Sequence, residues 1–292
     1  MLLAIDIGNT NISLGVFKGR RLAGVFKIPT KEKSYLRSLK RILEKFEVDD
    51  VLICSVVPNA LKILTKETKS LLGKAPYIIG KKIKVPIKNR YLRPAQVGQD
   101  RLVNAYAGTM LYGAPLVVVD FGTAVTFDIV SKKREYLGGM IFPGLEISLD
   151  ALFERTALLP RIKLGIPREL IGGDTKNSML SGIVYGFAAV TDDLVMRIKE
   201  KIGRFAKVIA TGGNISLIEG YCKRLDKADK DLTLKGIRLV YENYVKNTRA
   251  EKVFSLPAGR QGYQAPNEVN LFSDSSGSRR IASKKNNIRG KI

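Results

Sequence analysis

The chain has 292 residues, 45% of them hydrophobic and 26% charged. That composition is globular, excludes a disordered chain, and is long enough for two cored domains. Fifty Lys and Arg against 27 Asp and Glu leave a formal charge of +23, which attracts nucleotides, phosphate esters, nucleic acid or acidic membrane without choosing among them. There is no histidine, so imidazole-based triads are excluded and acid–base work falls to Asp, Glu, Lys, Arg, Tyr or Cys. Cys54 and Cys222 stand far apart and outside any CxxC pair, which argues against a zinc site or disulfide scaffold and for a reducing compartment. The apolar start meets Asp6 at once, lacks a basic n-region and is too short for a signal peptide. No run approaches the roughly 18 apolar residues of a membrane span, so a cytoplasmic protein is expected.

Leu2 to Ile7 reads as a strand that runs into a tight loop, Asp6 to Thr10, and Ile12 to Phe17 resumes the extended pattern up to the turn at Lys18-Gly19-Arg20. Leu36, Leu39, Ile42, Leu43 and Phe46 recur at helical spacing between Lys31 and Glu47. Val51 to Val57 reads as a buried strand closed by Pro58, and Leu61, Leu64, Thr68, Leu71 and Leu72 share one helical face before a short strand at Tyr77-Ile78-Ile79. A helix is expected from Gly98 to Tyr112, with Gly113 as its stop.

The opening pattern then recurs. Leu116 to Thr123 followed by Ala124 to Val130 repeats apolar strand, Asp-x-Gly, hydroxyl residue and second strand, pairing Asp6 with Asp120, Gly8 with Gly122 and, with one residue skipped, Thr10 with Thr123. Two such units imply two related domains, 1–114 and 115–245, meeting near Gly113 to Pro115. A long helix from Asn177 to Ile202 and a strand from Lys207 to Ala210 continue the second unit. From Lys246 onward, Ser, Asn, Gly and Arg clusters replace any sustained apolar period, and ten basic residues face three acidic ones, so 246–292 is expected to be a basic, disordered tail.

A carboxylate at the end of a buried strand, followed by glycine and hydroxyl or amide residues, suits phosphate and its magnesium, because glycine lets backbone N–H groups approach the anion. One Asp-x-Gly loop also serves as an ordinary turn. Two, each between apolar strands, carry more weight. A third glycine element, Thr211-Gly212-Gly213-Asn214, follows a strand and is either a plain strand-to-helix turn or a surface for adenine and ribose.

The three elements together resemble the phosphate 1, phosphate 2 and adenosine pattern of the acetate and sugar kinase/Hsp70/actin superfamily. That resemblance implies an α/β fold of two duplicated actin-like, ribonuclease H-like domains with a nucleotide cleft between them. Over residues 1–244 it narrows to the type III pantothenate kinases, on Asp6 to Thr10, Gly98-Gln99-Asp100-Arg101, Asp120 to Thr123, Gly138-Gly139 through Pro143-Gly144, Gly172-Gly173-Asp174-Thr175 and Thr211 to Asn214. It implies transfer of the ATP γ-phosphate to the primary hydroxyl of pantothenate, dependence on Mg²⁺ and on K⁺ or NH₄⁺, and a homodimer. Membrane and nucleic acid are not expected as partners.

By the same resemblance Asp100 is the general base, a role a carboxylate can fill in a chain without histidine. Arg101, with Gly98 and Gln99, is implied in pantothenate binding, and a guanidinium fork suits that substrate's carboxylate. Asp6, Ile7, Gly8, Asn9, Thr10, Asn11, Ile12 and Ser13 form the implied first phosphate loop, with Asp6 directed at magnesium or its waters, and Thr123 is the second phosphate contact. Asp120 is the implied monovalent-cation ligand, and Tyr91 and Thr175 are implied pantothenate contacts. Read on their own, Asp100 is a helix cap or a partner of Arg101, Tyr91 a packed aromatic, and Thr175 a helix N-cap. Two competing functions remain open: a nucleotide-sensing regulator that binds nucleic acid through the basic surface, and a kinase or phosphatase of another small acceptor.

Overall fold

The computed structural model describes residues 1–254, the last four as backbone alone. Strand β1 (Leu2–Ile7) is almost wholly buried and forms an antiparallel meander with β2 (Asn11–Lys18) and β3 (Arg21–Pro29). On its other side β1 runs parallel to β4 (Asp50–Ser55), with β5 (Tyr77–Ile78) outermost, giving the order β3-β2-β1-β4-β5. Helices α1 (Leu36–Leu43) and α2 (Pro58–Leu72) cover one face, where Leu39, Ile42, Ala60 and Leu64 meet Leu3, Ile5 and Ile53. Pro58 at the first helical position starts α2, and Gly73, at φ +70°, ends it in the left-handed region.

The second half repeats this design. Strands β7 (Leu116–Phe121), β8 (Ala124–Val130) and β9 (Glu135–Pro143) form the meander, β10 (Lys207–Thr211) lies parallel to β7, and β11 (Lys227–Ala228) is outermost. The order from β9 to β11 is the order of the first sheet, with β6 (Lys88–Asn89) added beside β9. Helices α4 (Leu145–Arg155), α5 (Thr175–Ile202) and the short α6 (Ile215–Ile218) pack on one face of it.

The two halves exchange their last helices. Helix α3 (Gln99–Tyr112), which ends the first half, packs on β7 and β8, while α7 (Leu232–Phe254), which ends the second, packs on β1, β2 and β4. The helices also pack on each other, and one core cluster joins Ala4 and Cys54 to Val103, Leu116, Leu232 and Ile237. Close approach is made possible by Gly236, where a Cβ would come within 2.6 Å of Val103 Cγ1. This shared core places the start of α3 between the two sheets.

Several expectations need correction. The helix expected between Lys31 and Glu47 is only Leu36–Leu43. Strands β3 and β9 and helices α4 and α7 carry too weak a period to be read: β3 alternates between exposed and half-buried residues, and β9 is interrupted by Gly138-Gly139. Helix α7 continues to Phe254, nine residues into the expected tail, and 255–292 lies outside the described residues. Contrary to the membrane-span reading, α5 is long and apolar enough by length and composition to cross a bilayer. Its Met179, Ile183, Val195 and Ile198 belong instead to the second core cluster.

Candidate active site

Each β1-type strand ends on an aspartate followed by a loop. In the first half Gly8 N–H donates to the Asn11 carbonyl (3.1 Å), and Thr30, just past β3, ties the loop down by donating its N–H to the Thr10 carbonyl (3.0 Å) and its Oγ1 to the Gly8 carbonyl (2.7 Å). In the second half Gly144, just past β9, donates its N–H to the Thr123 carbonyl (3.0 Å). A Cβ at Gly144 would lie 2.1 Å from that same oxygen, so only glycine fits there. Gly144 also caps α4, which sets the unpaired N–H groups of that helix start against the Thr123 loop, an arrangement that favours anions. The two loops face each other: Thr10 Oγ1 and Thr123 Oγ1 are 2.9 Å apart.

The third expected element closes on the second. Gly212 (φ +100°) lies against Asp120 and Phe121, and Asn214 N–H donates to the Phe121 carbonyl (3.0 Å). A Cβ at Gly212 would come within 2.4 Å of Asp120 Oδ1, so glycine keeps that oxygen open. The other oxygen, Oδ2, accepts from Asn104 Nδ2 on α3 (3.0 Å), and the Asn104 carbonyl oxygen accepts from Thr233 Oγ1 on α7 (2.8 Å). The exchanged helices thus orient an aspartate of the second sheet.

Asp100 is the second residue of α3 and not its cap, a position held by Gly98. Its Oδ1 accepts the Arg101 N–H (2.9 Å) and folds back over Gly98, where a Cβ would sit 2.4 Å away. Asp6, Asp100 and Asp120 are half-buried, and the charge of Asp100 reaches both of the others. Burial, followed by the charges of Asp100 and Asp120, pushes Asp6 up to about 8. Burial, followed by Asp100 and Asp128, pushes Asp120 up to about 7 against the opposing Asn104 bond. Burial also raises Asp100, opposed by the Arg101 N–H and charge. Cys54, opposite Asp6 on β4, is fully buried and its thiol is pushed well up by burial, Asp6 and Asp100, which makes it an inert core residue.

A crowd of desolvated carboxylates is a site for cationic charge. Among the described residues no three acidic or thiol groups make a ready-formed metal cage. The open oxygen of Asp120 suits a hard monovalent ion.

Arg101 is buried and already engaged: its Nε (2.8 Å) and Nη2 (2.7 Å) meet Asp128 Oδ1, and Nη2 also donates to the Phe127 carbonyl (3.3 Å). Asp128, itself fully buried, accepts from Tyr136 Oη (2.9 Å) and Thr126 Oγ1 (3.1 Å). Burial raises the Asp128 carboxyl while these partners pull it down. Only Nη1 of Arg101 stands outside the Asp128 pairing. Tyr91 packs its ring on Gly138, about 3.3 Å from where a Cβ would be, beside this network. Gln99 packs on Gly80. Thr175 is separate. It is the first residue of α5 behind the cap Asp174, whose Oδ1 accepts the Asn177 N–H (2.8 Å), and it lines an open groove of about 450 Å³ with Leu159, Gly172, Gly173, Asp174, Ser178 and Met179.

The structure therefore gathers Asp6, the loop to Thr10, Asp100, Asp120 and Thr123, sets Arg101 and Tyr91 at one side, and leaves Thr175 apart within a single chain. Asn104, Asp128, Tyr136 and Thr233 were missed by the sequence reading. Asp128 had one signal, as a carboxylate inside the apolar strand Ala124 to Val130. Asn104 and Thr233 had none, since their pairing depends on the helix exchange.

Two duplicated sheets closing on paired strand–aspartate–glycine loops define an actin-like α/β fold with a cleft between its halves. Solved structures share the fold at low identity: a Campylobacter jejuni protein provisionally described as a Baf family transcriptional activator (21% identity, 84% of this chain and 99% of that one, TM-score 0.53) and the activator of 2-hydroxyisocaproyl-CoA dehydratase from Clostridium difficile (11%, 90% and 99%, TM-score 0.51). The model of the type III pantothenate kinase family matches residues 2–197. Type III pantothenate kinases of Moorella thermoacetica (43% identity over 251 residues, 83% of this chain and 99% of the relative) and Halalkalibacterium halodurans (40% over 254 residues, 84% and 100%) are similar along nearly their whole length. The chain belongs to the type III pantothenate kinase family. The regulator reading is not favoured by these likenesses.

Proposed function

We propose that this chain transfers the γ-phosphoryl group of ATP to the primary hydroxyl of pantothenate, forming 4′-phosphopantothenate and ADP at the entry to coenzyme A synthesis. The observation that carries this is the meeting of the two duplicated loops at Thr10 and Thr123 with Asp100 in electrostatic range of both loop aspartates. Asp100 takes the hydroxyl proton as the new O–P bond forms and the bond from the γ-phosphorus to the β-phosphate oxygen breaks. Its raised pKa brings it nearer to neutral pH, where a carboxylate is a more effective base. The loop Asp6 to Ser13, Thr123 and the α4 start hold the phosphates, and the Thr211 to Asn214 turn faces the adenosine.

Asp6 would hold magnesium, whose charge would offset that of the transferring phosphoryl group, and Asp120 would hold a potassium or ammonium ion that adds to it. Arg101, held by Asp128, and Tyr91, with Gly98 and Gln99, face pantothenate. The lobes are 1–114 and 115–245, with α7 running on to Phe254. The protein works in the cytoplasm as a homodimer: Leu158, Leu170 and Ile171, 62 to 91% exposed, adjoin in sequence the residues that line the Thr175 groove, and a second copy covering them brings Thr175 to a pantothenate pocket.

ADP release from Mg-ATP, with and without pantothenate, in potassium and then sodium buffer, tests the reading. Turnover that needs pantothenate and potassium and disappears in Asp100→Asn is expected. ATP binding without pantothenate-dependent turnover overturns it.

A further inference from the structure

The cation beside Asp100 is committed: Arg101 is paired with Asp128. A second cation reaches the cleft from a strand the sequence reading did not detect. Across the first sheet Asp6 pairs with Ser13 and Ser13 with Lys27, so the three side chains leave the same face. From there the Lys27 stem crosses to the other half, where a Cβ on Gly213 would lie 3.5 Å from Lys27 Nζ. Gly213 belongs to the turn that packs on the Asp120 loop through Gly212 and Asn214. Among the described residues no carboxylate lies within ion-pair distance of Lys27.

The duplication supplies an internal comparison. The matching row of the second sheet runs Asp120, Thr126, Ile141, with an exposed isoleucine where the first sheet has Lys27. The meander therefore does not need a lysine at this place. An ammonium is held against the glycine turn, on the same side of the first sheet as Asp6, with no carboxylate paired to it among the described residues.

We propose that Lys27 binds the phosphate chain of the nucleotide, donating from Nζ to its oxygens and offsetting their charge across the mouth of the cleft. This rests on the reading of the cleft as an ATP site. The lysine closes the nucleotide between the lobes by an interaction that adenosine alone does not offer.

Equilibrium binding of ATP, ADP, AMP and adenosine to the full chain, to Lys27→Met and to Lys27→Arg tests it. Lys27→Met is expected to weaken ATP and ADP by roughly 10- to 100-fold, AMP by less and adenosine not at all, with Lys27→Arg recovering most of the loss. ATP binding by Lys27→Met within about twofold of the parent overturns the proposal while leaving the ATP site standing. Equal weakening of adenosine and ATP also overturns it, because the side chain is then a structural strap. A parent protein that binds no ATP overturns the cleft reading itself, and this proposal with it.

Discussion

Thr10 Oγ1 and Thr123 Oγ1, 113 residues apart in sequence, lie 2.9 Å from each other in the cleft. Each ends a duplicated strand–aspartate–loop unit, so their contact joins equivalent points of the two halves where phosphate is expected. Replacing either hydroxyl by the same-shaped apolar residue removes their mutual hydrogen bond and the proposed donor to phosphate, at two positions open to solvent. Thr123→Val is expected to raise KM for ATP about tenfold with stability changed by less than about 0.5 kcal/mol, as read by steady-state kinetics and thermal unfolding.

Asp100 is expected to matter for rate more than for folding. General-base contributions are typically on the order of 10² to 10⁴, so Asp100→Asn should lower kcat by that factor. Because burial already disfavours the charged form, the amide should leave the unfolding temperature unchanged or higher. A variant that unfolds early would make Asp100 a structural residue.

Asp6 and Asp120 link stability to pH and cations. Both have folded pKa values, about 8 and about 7, above the ordinary 3.8. The folded state therefore holds more protons than the unfolded chain, and the stability this contributes is full below about 3.8 and lost as pH rises through 7 and 8. Cation-free protein should show a melting temperature that declines from about pH 4 to about pH 8 and levels off above, with the decline reduced in Asp6→Asn. Magnesium should stabilise more at the alkaline end of that window, where the carboxylates are ionised.

Asn104 tests the helix exchange as a source of the site. Asn104→Ala removes the bond from α3 to Asp120 and leaves Thr233 without its acceptor, at an expected cost of about 1–3 kcal/mol in urea unfolding. Losing a bond that favours its charged form should also raise the Asp120 pKa further. Activity should then need a higher potassium concentration.

Asp128 is expected to be the most costly of these positions. Asp128→Ala leaves the buried Arg101 guanidinium without its counter-charge, for a loss of about 3–5 kcal/mol. Asp128→Asn, which keeps hydrogen-bonding capacity, should lose less stability and, if Arg101 contacts pantothenate as proposed, should raise KM for pantothenate more than KM for ATP.

The sequence by itself determined the local chemistry. Asp6-Ile7-Gly8, Asp120-Phe121-Gly122 and Gly212-Gly213 are legible because a strand's apolar run, a turn's glycine and a terminal carboxylate are all properties of consecutive residues. Their recurrence disclosed the duplicated α/β halves, and the structure finds the same strand order in both sheets. Strands β3 and β9 and helix α7 were not legible, because a half-exposed edge or a helix wedged between sheets carries no clean period. What only the tertiary structure decided is how the pieces face: α3 and α7 change sheets, which brings Asn104 and Thr233 to Asp120, and Lys27 extends from β3 toward Gly213. The Thr233–Asn104 and Lys27–Gly213 contacts join residues more than a hundred positions apart, and the Asn104–Asp120 bond depends on α3 packing against the other sheet. No local pattern encodes them, because their register is set by the apolar core that both halves share.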